Sequence, residues 1–204
     1  MIISDDKKFI FCHVPKTGGR SMRECLSKYG SKMRGGPKAH SSLDDIANRF
    51  FRERNRNIAD YYKFAFVRNP WDRYVSLYHY IRDVGHHHPW RPEVLASDFK
   101  GFIKLLPHMG QNPRALAVPT KPQADFICDD VGNIIADFVG RFERISEDFE
   151  HACQKLGLDD VAPLPHTHKT DHKKYTEYYD EETIKIVENI SSRDISLFDY
   201  KFGE

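Results

Sequence analysis

Pro15-Lys16-Thr17-Gly18-Gly19-Arg20-Ser21 gathers an ammonium group, hydroxyls and paired glycines into one short stretch, and that combination is suited to gripping an anion. The apolar run Phe9-Ile10-Phe11-Cys12-His13-Val14 ahead of it has the length of a central strand. Pro15 cannot continue the ladder, and Gly18-Gly19 permits the tight backbone of a turn. Behind the turn, Ser21-Met22-Arg23-Glu24-Cys25-Leu26 has helical character. The unpaired N–H groups of its first turn would face back over the strand end, where Lys16 adds a full positive charge. A phosphate or sulfate group requires such a setting.

A second constellation follows the same logic. Tyr62-Lys63-Phe64-Ala65-Phe66-Val67 reads as a strand ending in Arg68-Asn69-Pro70. Asn69 can cap and Pro70 can open a helix running from Trp71 to Arg82. Arg68 at the strand end and Ser76 two turns into the helix can converge on a second anion, the guanidinium offering a planar, bidentate grip on phosphate oxygens. Trp71 and Arg73 read as structural, one buried and one in a salt bridge. An ordinary turn would also explain a glycine pair beside a lysine, and the second constellation raises the anion reading above it. A nucleoside triphosphate P-loop needs four residues between its glycines and a lysine after them, whereas here Lys16 precedes Gly18 and Gly19.

The remaining chain must position these groups. Gly30 to Lys38 reads as a basic loop that delivers His40, and Ser41 or Ser42 can cap a helix with Leu43, Ile46, Phe50 and Phe51 on its apolar face. Val84 to Ser97, with Gly85, His86-His87-His88 and two prolines, reads as a surface loop or lid. A short helix over Phe99 to Leu106 follows, then an irregular stretch from Pro107 to Pro122. Asp125 to Cys128 and Ile134 to Val139 read as strands of a hairpin around Asp129-Asp130-Val131-Gly132-Asn133. Ile145 to Leu156 reads as a helix stopped by Gly157, Pro163 to Lys174 as a polar loop, and Glu181 to Ser191 as a final helix before the Asp194 to Phe202 segment. Strands alternating with helices predict an α/β fold, a central mainly parallel sheet flanked by helices, with ligands beyond the carboxyl ends of the strands. Residues 1–204 are expected to form a single domain.

Lys and Arg number 31 against 30 Asp and Glu, a balance that argues against coating nucleic acid while leaving room for a local basic pocket. The first strand begins by Phe9, leaving no room for a leader with its charged, apolar and cleavage regions, and no apolar run is long enough to span a membrane. A cytoplasmic protein is the expectation. Cys12, Cys25, Cys128 and Cys153 are scattered without a CxxC pair, the pattern of reduced structural thiols.

A strand, a Pro-Lys-Thr-Gly-Gly-x-Ser turn and a helix, followed by a strand ending Arg-Asn-Pro with a serine in the next helix, resembles the sulfotransferase family. The pattern is most similar to its carbohydrate-type branch and bacterial relatives. The likeness extends through Phe138-Val139-Gly140-Arg141-Phe142-Glu143 and the ending from Tyr178 to Tyr200. It implies a P-loop-like three-layer fold that moves a sulfuryl group from 3′-phosphoadenosine 5′-phosphosulfate (PAPS) to a hydroxyl, on a carbohydrate acceptor, leaving adenosine 3′,5′-bisphosphate (PAP). Under the resemblance Lys16 stabilises the leaving phosphate, Thr17, Gly18, Gly19, Arg20 and Ser21 enclose the 5′ end, and Arg68 and Ser76 hold the 3′-phosphate. Arg20 departs from the pattern, since the family commonly carries a small hydroxyl residue there.

The acceptor hydroxyl needs a base. His40, just ahead of a predicted helix, occupies a place similar to that of the base in related glycan sulfotransferases. His13, inside the first strand, reads as a core or loop-bracing histidine. His86-His87-His88 and His166, His168 and His172 lie in polar loops without the partners that fix a metal, and no acidic metal-binding motif stands near either strand end. A sulfuryl group carries less charge than a phosphoryl group, so Lys, Arg and a helix N-terminus can meet its transition state without a divalent ion. The rival readings are an ATP-dependent small-molecule kinase and a non-catalytic nucleotide-binding protein of the same fold.

Overall fold

The computed structural model describes residues 1–30, 40–109, 120–164 and 173–204. The readings made for the basic loop after Gly30, for the centre of the Pro107 to Pro122 stretch, and for His166, His168 and His172 fall outside the described residues. In chain order the elements are β1 (Ile2–Ser4), β2 (Phe9–Cys12), α1 (Gly19–Leu26), α2 (Leu43–Asp45), β3 (Tyr62–Val67), α3 (Pro70–His79), α4 (Arg91–Leu95), α5 (Phe99–Met109), α6 (Ala124–Ile127), β4 (Phe138–Arg141), α7 (Ile145–Lys155), α8 (Glu181–Ile190) and α9 (Ser192–Phe198). Among the described residues no helix is long and apolar enough to cross a membrane. The chain divides into two compact units, Met1–Val67 with Gln123–Thr167 and Arg68–Pro122 with His168–Glu204.

The first unit holds the sheet, in the order β1-β2-β3-β4. β1 is antiparallel to β2, while β2, β3 and β4 run parallel, with Phe11 opposite Phe64 and Phe64 opposite Phe138. The continuous apolar run of β2 is what a strand covered on both faces requires. Phe9, Phe11, Phe64 and Phe66 form one face, packed with Met22 and Leu26 of α1 and Phe149, Ala152 and Cys153 of α7. On the other face the Cys12 thiol approaches the carbonyl of Phe126 in α6 at 3.3 Å and that of Ser41 ahead of α2 at 3.7 Å. The unit is therefore helix, sheet and helix in layers, the expected α/β class with a mainly parallel sheet.

The second unit is helical. Asn69 accepts a hydrogen bond from the backbone N–H of Trp71 (3.1 Å), and Pro70 stands in the first turn of α3, as its sequence requires. Trp71 is buried, its indole N–H donating to the carbonyl of Ile184 (3.3 Å). Arg73 is fully enclosed, donating to the carbonyl of Lys121 at 2.9 Å and lying 4.0 Å from Asp194. Asp180 and Thr183 form a reciprocal capping box at the start of α8.

Three sequence readings are corrected. Asp125 to Cys128 is a helical turn rather than a strand. Ala124, Phe126 and Ile127 are all buried by one turn, and a short apolar run does not by its pattern distinguish turn from strand. The expected hairpin shrinks to a single antiparallel bridge between Cys128 and Ile134, and the real strand is Phe138–Arg141, paired parallel to β3. The Val84 to Ser97 stretch contains α4, because Pro92 falls in a helical first turn where its missing N–H costs nothing. The helix expected to reach Arg82 does so, but as a π-helical turn over Tyr80–Val84 after α3 ends at His79.

Candidate active site

Beyond β2 the chain makes a strained turn. Lys16 has φ 69°, the left-handed region that a residue with a Cβ seldom enters, and Gly18 has φ 77°. Thr17 is buried, and its hydroxyl donates to the carbonyl of Val14 at 3.0 Å, so its proton is engaged in closing the turn. Gly18 is the N-cap of α1 and supplies no capping side chain. No acidic residue stands in that first turn, so the helix's own first turn sets neither a capping oxygen nor a carboxylate at its positive end. Ser21 is buried and Arg20 is exposed in the same turn. This arrangement suits a phosphate or sulfate group: a lysine, backbone donors, and two glycines at which added Cβ atoms would collide with their surroundings.

The two glycines are needed for different reasons. Gly18 is required by its φ, with the Ile145 and Phe142 side chains closing in on it. Gly19 is required by His13, whose ring would lie 1.9 Å from a Cβ at that position. Gly19→Ala is therefore expected to destabilise the protein by about 1–3 kcal/mol, as overpacking does. Removing the ring with His13→Ala in the same chain should recover part of that loss. Thermal melts of the two single variants and the double variant give the coupling, and losses additive to within about 0.5 kcal/mol would refute the contact.

His40 joins this cluster through two contacts. Its Nδ1 lies 3.0 Å from the carbonyl oxygen of His13, and the two rings are 4.4 Å apart between centroids. A carbonyl only accepts, so Nδ1 carries the proton and Nε2 is left with its lone pair. Burial holds the His40 titration below the ordinary histidine value, although the His13 carbonyl pulls the other way. His40 is thus a neutral imidazole with an unprotonated nitrogen. The Cys12 thiol helps to fix the segment by reaching Ser41, and Ser42 caps α2 by accepting from the N–H of Asp45 (3.0 Å).

In the second unit, Asp72 and Ser76 are four residues apart on one face of α3, and Arg68 stands just ahead of its N-cap, Asn69. The Arg68 Nε donates to Asp72 Oδ2 at 2.8 Å, which fixes the guanidinium plane. Ser76 is partly exposed on α3.

Sequence reasoning singled out Lys16, Thr17, Gly18, Gly19, Arg20, Ser21 and His40, which the first unit holds together. Arg68 and Ser76 belong to the second unit. It missed Asp72 and Arg23, and the contact that His13 makes with His40. Asp72 orients Arg68 and is signalled by its i,i+4 spacing. Arg23 lies one turn beyond Gly19 on α1, half-buried, and its Nε has no hydrogen-bond partner among the described residues. The sequence reads His13 as a core or loop-bracing histidine, and nothing in its spacing shows that it touches His40. Among the described residues no group of three or more His, Cys, Asp or Glu is arranged to hold a metal ion. All four cysteines are free, and burial pushes the Cys12 thiol up to about 12.

Carbohydrate sulfotransferase 11 of Mus musculus is 24% identical over 221 residues, covering 94% of this chain and 61% of the relative. Carbohydrate sulfotransferase 11 of Rattus norvegicus gives the same figures. The chain thus spans about three fifths of the length of the curated relatives it matches. The profile described as "Sulfotransferase family" matches residues 1–201, and with nearly its whole length so covered the chain belongs to the sulfotransferase family.

Proposed function

We propose that the protein transfers a sulfuryl group from PAPS to a hydroxyl of a carbohydrate by in-line displacement. Family membership supports the donor and the reaction type, and the names of the mouse and rat relatives support the acceptor class. The observation that carries the reading is the placement of His40, a neutral base with a free lone pair, in the same cluster as the Pro15–Ser21 turn.

In this reading the turn and the start of α1 hold the 5′-phosphosulfate, and Arg68 and Ser76 hold the 3′-phosphate. As the acceptor oxygen bonds to sulfur, His40 Nε2 takes the hydroxyl proton. The bond between sulfur and the bridging oxygen breaks, its electron pair stays on the departing phosphate, and Lys16 offsets the charge that develops there. Held reactants and fixed donors supply the remaining rate advantage, since no reorganisation is needed when the charge moves. Arg20, exposed beside the turn, adds a further positive charge to the same helix end.

Calorimetry with adenosine 3′,5′-bisphosphate tests the donor assignment. Binding is expected without Mg²⁺ and should be tighter than that of adenosine 5′-phosphate. Arg68→Ala should remove most of that difference, worth about 1.5–3 kcal/mol for hydrogen bonds to a charged group. Equal affinity of the native protein for the two nucleotides would refute a 3′-phosphate site, and Mg²⁺-dependent binding of ATP alone would favour a kinase. Transfer of labelled sulfate from PAPS to a panel of polysaccharides tests the acceptor; donor binding with no transfer to any of them would favour a non-catalytic protein.

A further inference from the structure

His13 takes no part in the reaction just described, yet it touches both halves of it. Its ring stacks on Phe11 (centroids 6.2 Å apart, 18° between planes), fills the space a Cβ on Gly19 would need, and lies 4.4 Å from the His40 ring. Its carbonyl accepts the Nδ1–H of His40. The ring gives up a hydrogen bond to be there, for its Nδ1 is buried with no partner among the described residues. Buried polar groups left unpaired are rare and costly, so simple space-filling is a poor account of an imidazole at this position.

We propose that His13 is a positioning residue that couples the donor turn to the base, its ring braced by Gly19 on one side and carrying the His40 imidazole on the other. A change in the Gly18-Gly19 backbone, such as the donor would impose on filling the turn, moves the His13 ring and with it the plane of His40. The base is then aligned when the turn is. His13 does not compete for the acceptor proton, since burial pushes its titration down to about 2 and it stays neutral at any working pH. The charged groups facing His40 from the elements around it are Arg23 on α1 and the amino group of Met1, both of which favour the neutral ring. The inference rests on His40 being the base, but the coupling itself is measurable without that assumption.

The test is NMR of the His40 ring in the native protein, Gly19→Ala, His13→Ala and the double variant. Gly19→Ala should move the His40 ring signals and its titration midpoint, because the His13 ring lies between position 19 and His40. In the His13→Ala background the same substitution should move neither. His13→Ala alone should raise the His40 midpoint toward the ordinary value, because water enters the space the ring filled. It should also lower kcat about tenfold to a hundredfold, as a misplaced reacting group does, with the affinity for adenosine 3′,5′-bisphosphate within about threefold of native. Should His13→Ala not fold, His13→Val, which lacks the ring atoms that meet position 19, takes its place. An unmoved His40 in Gly19→Ala, or an equal movement in both backgrounds, would overturn the coupling. If His40→Ala keeps full transfer while the NMR pattern appears, the base assignment falls and the coupling stands.

Discussion

Lys16→Ala is expected to lower kcat for sulfuryl transfer by on the order of a thousandfold, the scale seen when a donor to developing oxyanion charge is removed. The loss should fall on kcat more than on donor affinity, because the ammonium matters most when the bridging oxygen gains charge and the remaining turn still binds. The geometry also offers a way to separate this loss from misfolding. Lys16 has φ 69°, a conformation that costs a residue with a side chain about 1–2 kcal/mol and glycine almost nothing. Lys16→Gly should therefore be as inactive as Lys16→Ala yet melt no lower than the native protein. Steady-state kinetics and a thermal melt on the two variants decide the matter. Native-like transfer in either would remove Lys16 from the mechanism, and a glycine variant that melts well below the alanine one would contradict the strained backbone.

The second large effect is expected at His40. His40→Ala should slow transfer by about a hundredfold or more, the usual contribution of a general base, while adenosine 3′,5′-bisphosphate binds as before. The pH dependence is the sharper measurement. A base works in its neutral form, and burial holds the His40 titration below the ordinary histidine value. In the native protein kcat should therefore stay level as pH falls through about 6.5 and drop only below it. In His40→Ala the residual rate should lack that limb. A loss confined to nucleotide affinity, or an unchanged acid limb in the variant, would count against the assignment. Stability should follow the same sign. His13 and His40 both titrate lower in the folded state than an unfolded histidine does, so the unfolded chain takes up protons that the folded one refuses. Stability is then full above about pH 6.5 and declines as pH falls below it.

Much of the site was legible in the chain because its chemistry is local. An unbroken apolar strand, a proline that ends it, paired glycines and a lysine within the same turn need no distant partner to be recognised, and Asn69-Pro70 announces its helix in the same way. The parallel sheet followed from the spacing of strands and helices. Short elements were misread for a physical reason: Ala124 to Ile127 and Arg91 to Leu95 are single turns whose state is set by what they bury, not by a repeating pattern. The three residues of β1 were too few to show any period.

The sequence by itself determined the anion-gripping turn, the class of fold and the likeness to sulfotransferases, since each depends on residue types at fixed local spacing. Only the tertiary structure decided why Gly19 must be glycine, which serine caps α2, and which nitrogen of His40 holds the proton. Those answers come from the His13 ring, the N–H of Asp45 and the His13 carbonyl. In the first and last of them the partners stand far apart in sequence or on different elements, and a backbone carbonyl or a packed ring leaves no mark in the order of amino acids. Packing brings them within reach of each other, and that is where the chemistry of the base is set.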